Sequence, residues 1–199
     1  MMILPAILAG GGEGKRLAPL STPARTKPFI PLPDGQSLLE KTLRRVNAEG
    51  FLPPILIGRN DDRYALMNHA RAASIVPQSI LLEASSFNTA FAIACATAYA
   101  PPDAMLAFLP ADHAIDQPEP WKEAMQDAAK LAQDGDTIAL IGMEGVAFSA
   151  EYGWMELKGT NIIKFLEKPN KLPESGKFFG KFWSIYRYIR GIFAPISRK

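Results

Sequence analysis

Along the 199-residue chain, short apolar runs alternate with longer segments in which apolar positions recur every three or four residues. That alternation predicts βαβ units and a mainly parallel sheet flanked by helices. Ile3–Leu8 reads as the first strand. In Ser37–Glu49, Leu38, Leu39, Thr42, Leu43 and Val46 fall at helical spacing, and Ser37 with Glu40 forms a capping box. Ile55–Gly58 is a second strand, Arg63–Ala73 a surface helix and Ser79–Leu82 a third strand. An alanine-rich helix is expected over Asn88–Tyr99, ended by Pro101-Pro102, with a buried strand at Met105–Leu109. Pro120–Gln133 is read as helix and Thr137–Ile141 as strand; Trp154–Leu157 and Ile162–Leu166 are paired strands joined by a Gly159–Asn161 turn.

Composition changes this picture little. Hydrophobic residues make up 48% and charged residues 21%, ordinary values for a globular domain. The net charge of +2 argues for neither nucleic acid nor an anionic membrane as the main partner. Its distribution is uneven: residues 177–199 carry six Lys/Arg and no acid, leaving sixteen basic against twenty acidic residues before them. The single cysteine, Cys95, cannot form an intramolecular disulfide, so a reducing, cytoplasmic setting is expected, with the thiol packed on a small-residue helix face. Met1–Ala9 has no basic start and runs into glycines, unlike a signal peptide. No run approaches a spanning helix, and self-association is left open.

The chemistry gathers first at Ala9-Gly10-Gly11-Gly12-Glu13-Gly14-Lys15-Arg16-Leu17, directly after the first strand. Gly10, Gly11, Gly12 and Gly14 let the backbone approach a ligand and aim N–H groups at phosphate oxygens; Lys15 and Arg16 add charge for a triphosphate. Spacing excludes a P-loop, because Ala9 and Arg16 occupy its defining ends, and a dinucleotide fingerprint, because Lys15 replaces the last glycine. Downstream, Lys27 lies between helix-breaking residues, either as a solvated charge or as a second phosphate contact.

Gly11-Gly12-Glu13-Gly14-Lys15-Arg16-Leu17-Ala18-Pro19-Leu20 with Lys27-Pro28 resembles the signature of sugar-1-phosphate nucleotidyltransferases. Later segments narrow the resemblance to mannose-1-phosphate guanylyltransferases. Leu82-Glu83 with Asn88-Thr89-Ala90 is similar to that family's Glu-Pro-x-x-Arg-Asn-Thr-Ala stretch, and Leu109-Pro110-Ala111-Asp112-His113 to its Leu-Pro-Ala-Asp-His motif. Glu151-Tyr152-Gly153-Trp154 and Phe165-Leu166-Glu167-Lys168-Pro169 resemble its Gly-Tyr-Gly-Tyr and Phe-x-Glu-Lys-Pro turns. The resemblance implies a Rossmann-like nucleotidyltransferase fold over residues 1–176, the N-terminal part of the family's catalytic domain, and transfer from GTP to mannose-1-phosphate for polysaccharide or glycoconjugate precursors. A transferase for another sugar-1-phosphate and a non-catalytic nucleotide-binding fragment are the alternatives.

On this reading Arg16, Lys27, Asp112 and Lys168 are the catalytic set. The glycine turn and Lys15 hold the triphosphate, and Asn88 and Thr89 touch the nucleoside. Asp112 follows a strand at the sheet's ligand side, where a hard carboxylate could hold Mg²⁺ against phosphate oxygens; it could equally be a turn residue or N-cap. His113 is expected to hydrogen-bond rather than bind zinc. The resemblance assigns Glu167 to sugar hydroxyls and Lys168 to the sugar phosphate, with Gly153 lining the sugar. The chain departs from the family pattern in three places. It has one extra glycine in the first loop, and Ala84 and Phe87 stand where Pro and Arg are expected. The Asn-Ser expected after Lys177 is missing, so 177–199 reads as a diverged or truncated basic, aromatic tail of residual core residues.

Overall fold

A computed structural model of the chain describes residues 1–10, 17–22, 25–85, 88–115, 118–133, 137–143, 148, 150, 153–171 and 177–187. Its described residues divide into two compact units, residues 1–139 with 185–187, and residues 140–184.

The first unit is built on four parallel strands, β1 (Ile3–Leu8), β2 (Ile55–Arg59), β3 (Ser79–Glu83) and β4 (Met105–Pro110). β1 pairs with β2 (Ala6 opposite Ile55) and with β4 (Ile3 opposite Met105, Leu8 opposite Pro110), and β2 pairs with β3. The spatial order is therefore β3-β2-β1-β4. The chain builds outward from β1 in one direction, then returns to its other side, making a switch point between β1 and β4 where ligands of open α/β sheets bind beyond the strands' carboxyl ends. Both central strands are apolar throughout because both faces are covered: Ile3, Leu4, Ala6, Ile7, Leu106, Ala107, Phe108 and Leu109 are all buried. On one face Leu4, Ala6, Ile55, Ile57, Leu106 and Phe108 cluster with Ala92, Ala96 and Ala100 of the alanine-rich helix and its end. Burying each large aliphatic side chain is worth about 1.5–3 kcal/mol.

Four helices connect these strands and follow them: α1 (Leu38–Val46), α2 (Arg63–Ala72), α3 (Thr89–Tyr99) and α4 (Pro118–Leu131). The Ser37/Glu40 capping box forms as expected. Helix α1 stops at Val46 rather than Glu49, because Asn47 leaves helical backbone space at φ −84°, ψ 60°. Helix α4 begins two residues earlier than expected, at Pro118. Neither Pro118 nor Pro120 interrupts it, since first-turn N–H groups have no intrahelical partner to lose. Cys95 is half-buried rather than packed away: Ala92 and Ala96 face the core and Cys95 stands beside them. Phe91 and Tyr99 on the same helix are exposed, so α3 is apolar on all sides and its periodicity could not orient it.

In the second unit, β6 (Trp154–Lys158) pairs antiparallel with β7 (Asn161–Leu166) and with the strand at Lys177–Arg187. The last of these is β8, and β5 (Ile138–Met143) precedes the group. The β6–β7 hairpin turns at Gly159, whose φ of +65° is open to glycine without strain. The segment 177–187, read in sequence only as part of a tail, is a strand; residues 188–199 lie outside the described set. No described helix is long and apolar enough to cross a membrane.

Candidate functional site

At the carboxyl end of the parallel sheet the backbone is tied down on both sides of the switch point. Ala9 N–H donates to Ile57 O (2.8 Å) just past β1, and Ala111 N–H donates to Leu8 O (3.0 Å) just past β4. These bonds bring the start of the glycine turn and the Asp112 loop to the same edge. Gly10 lies close against the end of β3: a Cβ there would lie 2.9 Å from Glu83 Oε2 and would push that carboxylate aside. Gly11, Gly12, Gly14, Lys15 and Arg16 lie outside the described residues.

Lys27 opens a single 3₁₀ turn, Lys27–Phe29. Its Nζ donates to Asp112 Oδ2 at 2.7 Å, a pair formed across 85 residues with side chains 33% and 34% exposed. Two residues placed on separate motifs in the sequence thus meet, each still open to solvent and to a ligand. His113 Nε2 is 3.8 Å from Asp112 Oδ1, beyond hydrogen-bond range, while the His113 carbonyl accepts from Arg45 Nη2 (3.2 Å). Among the described residues no group of three or more His, Cys, Asp or Glu could hold a metal. The Asp112 carboxylate is a hard oxygen ligand of the kind that fits a Mg²⁺ arriving with phosphate oxygens and keeping several waters.

The nucleoside residues expected at 88 and 89 divide. Asn88 is the N-cap of α3, its Oδ1 accepting from Phe91 N–H (3.2 Å), and Thr89 is exposed at the helix start. Glu83, at the end of β3, was given no role by sequence reasoning. Its Oε1 is buried without a hydrogen-bond partner among the described residues, and burial raises its carboxyl above the usual carboxylate pKa. An acidic residue at the strand end on the ligand edge was the signal available for it.

In the second unit Gly153, Glu167 and Lys168 come together. A Cβ on Gly153 would lie 3.2 Å from the Phe165 ring and 3.3 Å from Glu167 Oε2. Lys168 Nζ stands 3.9 Å from Glu167 Oε1, with both side chains largely exposed (61% and 70%). Lys168 adopts φ +41°, a left-handed conformation that costs a non-glycine residue about 1–2 kcal/mol.

The chain is similar to several known proteins. The chain is 33% identical over 194 residues to mannose-1-phosphate guanylyltransferase of Sinorhizobium fredii, covering 89% of this chain and 37% of that protein. To the alginate biosynthesis protein AlgA of Pseudomonas aeruginosa it is 29% identical over 180 residues, covering 85% and 37%. The chain thus spans about two-fifths of the length of these curated relatives. The crystal structure of mannose-1-phosphate geranyltransferase from Thermus thermophilus superposes with a TM-score of 0.77 at 30% identity, covering 92% of this chain and 57% of that one. The Rossmann-like α/β fold is shared. Residues 4–194 match the family described as nucleotidyl transferase, and the chain belongs to that family.

Proposed function

We propose that this chain carries the nucleotide-activating part of a sugar-1-phosphate nucleotidyltransferase, with GTP and mannose-1-phosphate as substrates and GDP-mannose and pyrophosphate as products. The observation that carries the reading is the Lys27–Asp112 pair at the switch point, beside the start of the glycine turn. A phosphate oxygen of mannose-1-phosphate attacks the α-phosphorus of GTP. The new P–O bond forms as the bond from that phosphorus to the bridging oxygen breaks, and the electron pair leaves with pyrophosphate. Such a transfer needs alignment and charge neutralisation and no covalent enzyme intermediate.

Lys27 neutralises charge at the α-phosphate, and Arg16 and Lys15 take the β- and γ-phosphates with the N–H groups of the glycine turn. Asp112 would hold a Mg²⁺ delivered with GTP, which supplies further neutralisation of the triphosphate. Glu83 is assigned to guanine: a carboxylate at this strand end, with two acceptor oxygens, suits the adjacent N–H donors of a guanine edge and not an adenine edge. Glu167 and Lys168 receive the sugar and its phosphate, with Gly153 against the ring. The likeness to the Sinorhizobium and Pseudomonas proteins supports the same substrates and a place in polysaccharide precursor synthesis.

Pyrophosphate release measured with GTP, ATP, UTP and dTTP, each against mannose- and glucose-1-phosphate, tests this directly. Turnover is expected with GTP and mannose-1-phosphate. Turnover confined to another pair moves the chain to a sibling specificity. GTP binding with no turnover by any pair would instead make it a binding fragment.

A further inference from the structure

We propose that helix α1 is a brace holding Lys27 and Asp112 in mutual register, with His69 and Arg45 as positioning residues on its two sides. The inference rests on the transfer roles given above to Lys27 and Asp112.

The turn that carries Lys27 is held through Phe29, two residues on. Phe29 is buried, and its ring stacks on His69 of α2 (centroids 5.3 Å apart, planes at 23°). His69 is fixed in turn by α1: its Nδ1 lies 2.6 Å from Glu40 Oε1. A carboxylate only accepts, so Nδ1 carries the proton and donates. Glu40 is also the third residue of the α1 capping box, its Oε2 accepting from Ser37 N–H (3.4 Å). One carboxylate therefore ties the start of α1 to the ring behind Lys27.

Five residues further along α1, about 140° round the axis and about 7.5 Å up it, stands Arg45. Its guanidinium lies over Trp121 of α4 (5.4 Å to the ring centroid), and Nη2 donates to the carbonyl of His113. Burial pulls the Arg45 pKa down to about 10, which leaves it cationic at neutral pH. The residue it grips is the one next to Asp112. A helix capped at one end by Glu40 and bonded across by Arg45 thus touches both segments whose side chains meet at 2.7 Å. Packing alone would be served by apolar residues at both positions, and a half-buried cation costs desolvation that such residues avoid.

The test uses the full chain, with Tm measured alongside kinetics so that rates refer to folded protein. His69→Ala and Arg45→Met are each expected to lower kcat about tenfold with KM for GTP within about twofold, as misalignment without lost ground-state binding should. Arg45→Lys keeps a donor for the His113 carbonyl and should restore most of kcat, whereas His69→Asn keeps a donor toward Glu40 but loses the ring over Phe29 and should stay as impaired as His69→Ala. Lowered Tm with unchanged kcat in the Ala and Met variants would reduce both residues to structural roles and overturn the brace. So would rises in KM alone.

A second readout works without turnover: ¹³C-dimethylated lysines observed by NMR, with the Lys27 line assigned by Lys27→Arg. In both variants that line is expected to move toward the position of solvent-exposed lysines; an unmoved line overturns the inference. If wild type turns over no substrate pair, the transfer reading fails while the Lys27 line still judges the brace.

Discussion

The two groups of candidate site residues are held differently. On the parallel sheet, Lys27 and Asp112 meet at 2.7 Å, behind them a buried Phe29 and the strands β1 and β4, buried almost throughout. On the β6–β7 hairpin, Glu167 and Lys168 stand 3.9 Å apart and mostly in water, and β7 is exposed along nearly its whole length. The first arrangement is set before any ligand arrives; an exposed pair at 3.9 Å contributes little by itself and gains its geometry from what it binds. The difference teaches where binding energy and rate should separate. The anchored group should govern the chemical step, and the exposed group the capture of the sugar phosphate.

The sharpest way to break that division is at Asp112. Asp112→Ala should lower Mg²⁺-dependent kcat by about 10³ or more, a loss typical of a lost charge-stabilising group. Pyrophosphate release measured across Mg²⁺ concentrations decides it, and unchanged activity would remove Asp112 from the site. A smaller effect of another kind is expected at Lys168. Lys168→Ala should raise KM for mannose-1-phosphate about tenfold, worth about 1.4 kcal/mol, with kcat little changed. A kcat loss as large as that of Asp112→Ala would erase the contrast between the two groups.

The smallest effect concerns Glu83 and pH. Its carboxyl is raised in the folded chain by burial, so between its unfolded and folded pKa values the native state binds more protons than the unfolded one. Stability therefore falls as pH rises through that window, and the penalty is complete above the folded pKa. Glu83→Gln should raise Tm by about 2 °C at pH 7.5 and leave it unchanged at pH 4. Added GTP should narrow the gap in Tm at pH 7.5, because guanine donors would favour the ionised wild-type carboxylate.

How much of this was legible in the sequence follows from the range of the interactions. The β1 run, the Ser37/Glu40 capping box and the Gly159 turn are local patterns, and they form where the residues predict them. The motif carrying Asp112 was legible as a motif, but its meeting with Lys27 needed the strand order, because 85 residues separate them. Asn88 is expected by resemblance to touch the nucleoside; its side chain also caps α3, a role its position just before a helix already favours. The partners Glu40–His69 and Arg45–His113 left no trace in periodicity: each joins residues far apart in sequence. Nor could periodicity orient α3, whose every face is apolar, and the packing of Cys95 was misjudged for that reason.

That misjudged thiol has a practical use. Cys95 is the only cysteine in the chain, is half-buried rather than sealed, and lies seven residues beyond the N-cap Asn88, about 10 Å along α3. A single maleimide-linked fluorophore or spin label would therefore attach at one defined place, with no background mutations. It would give an optical or magnetic record of any change that added GTP produces around that helix, independent of any product being made.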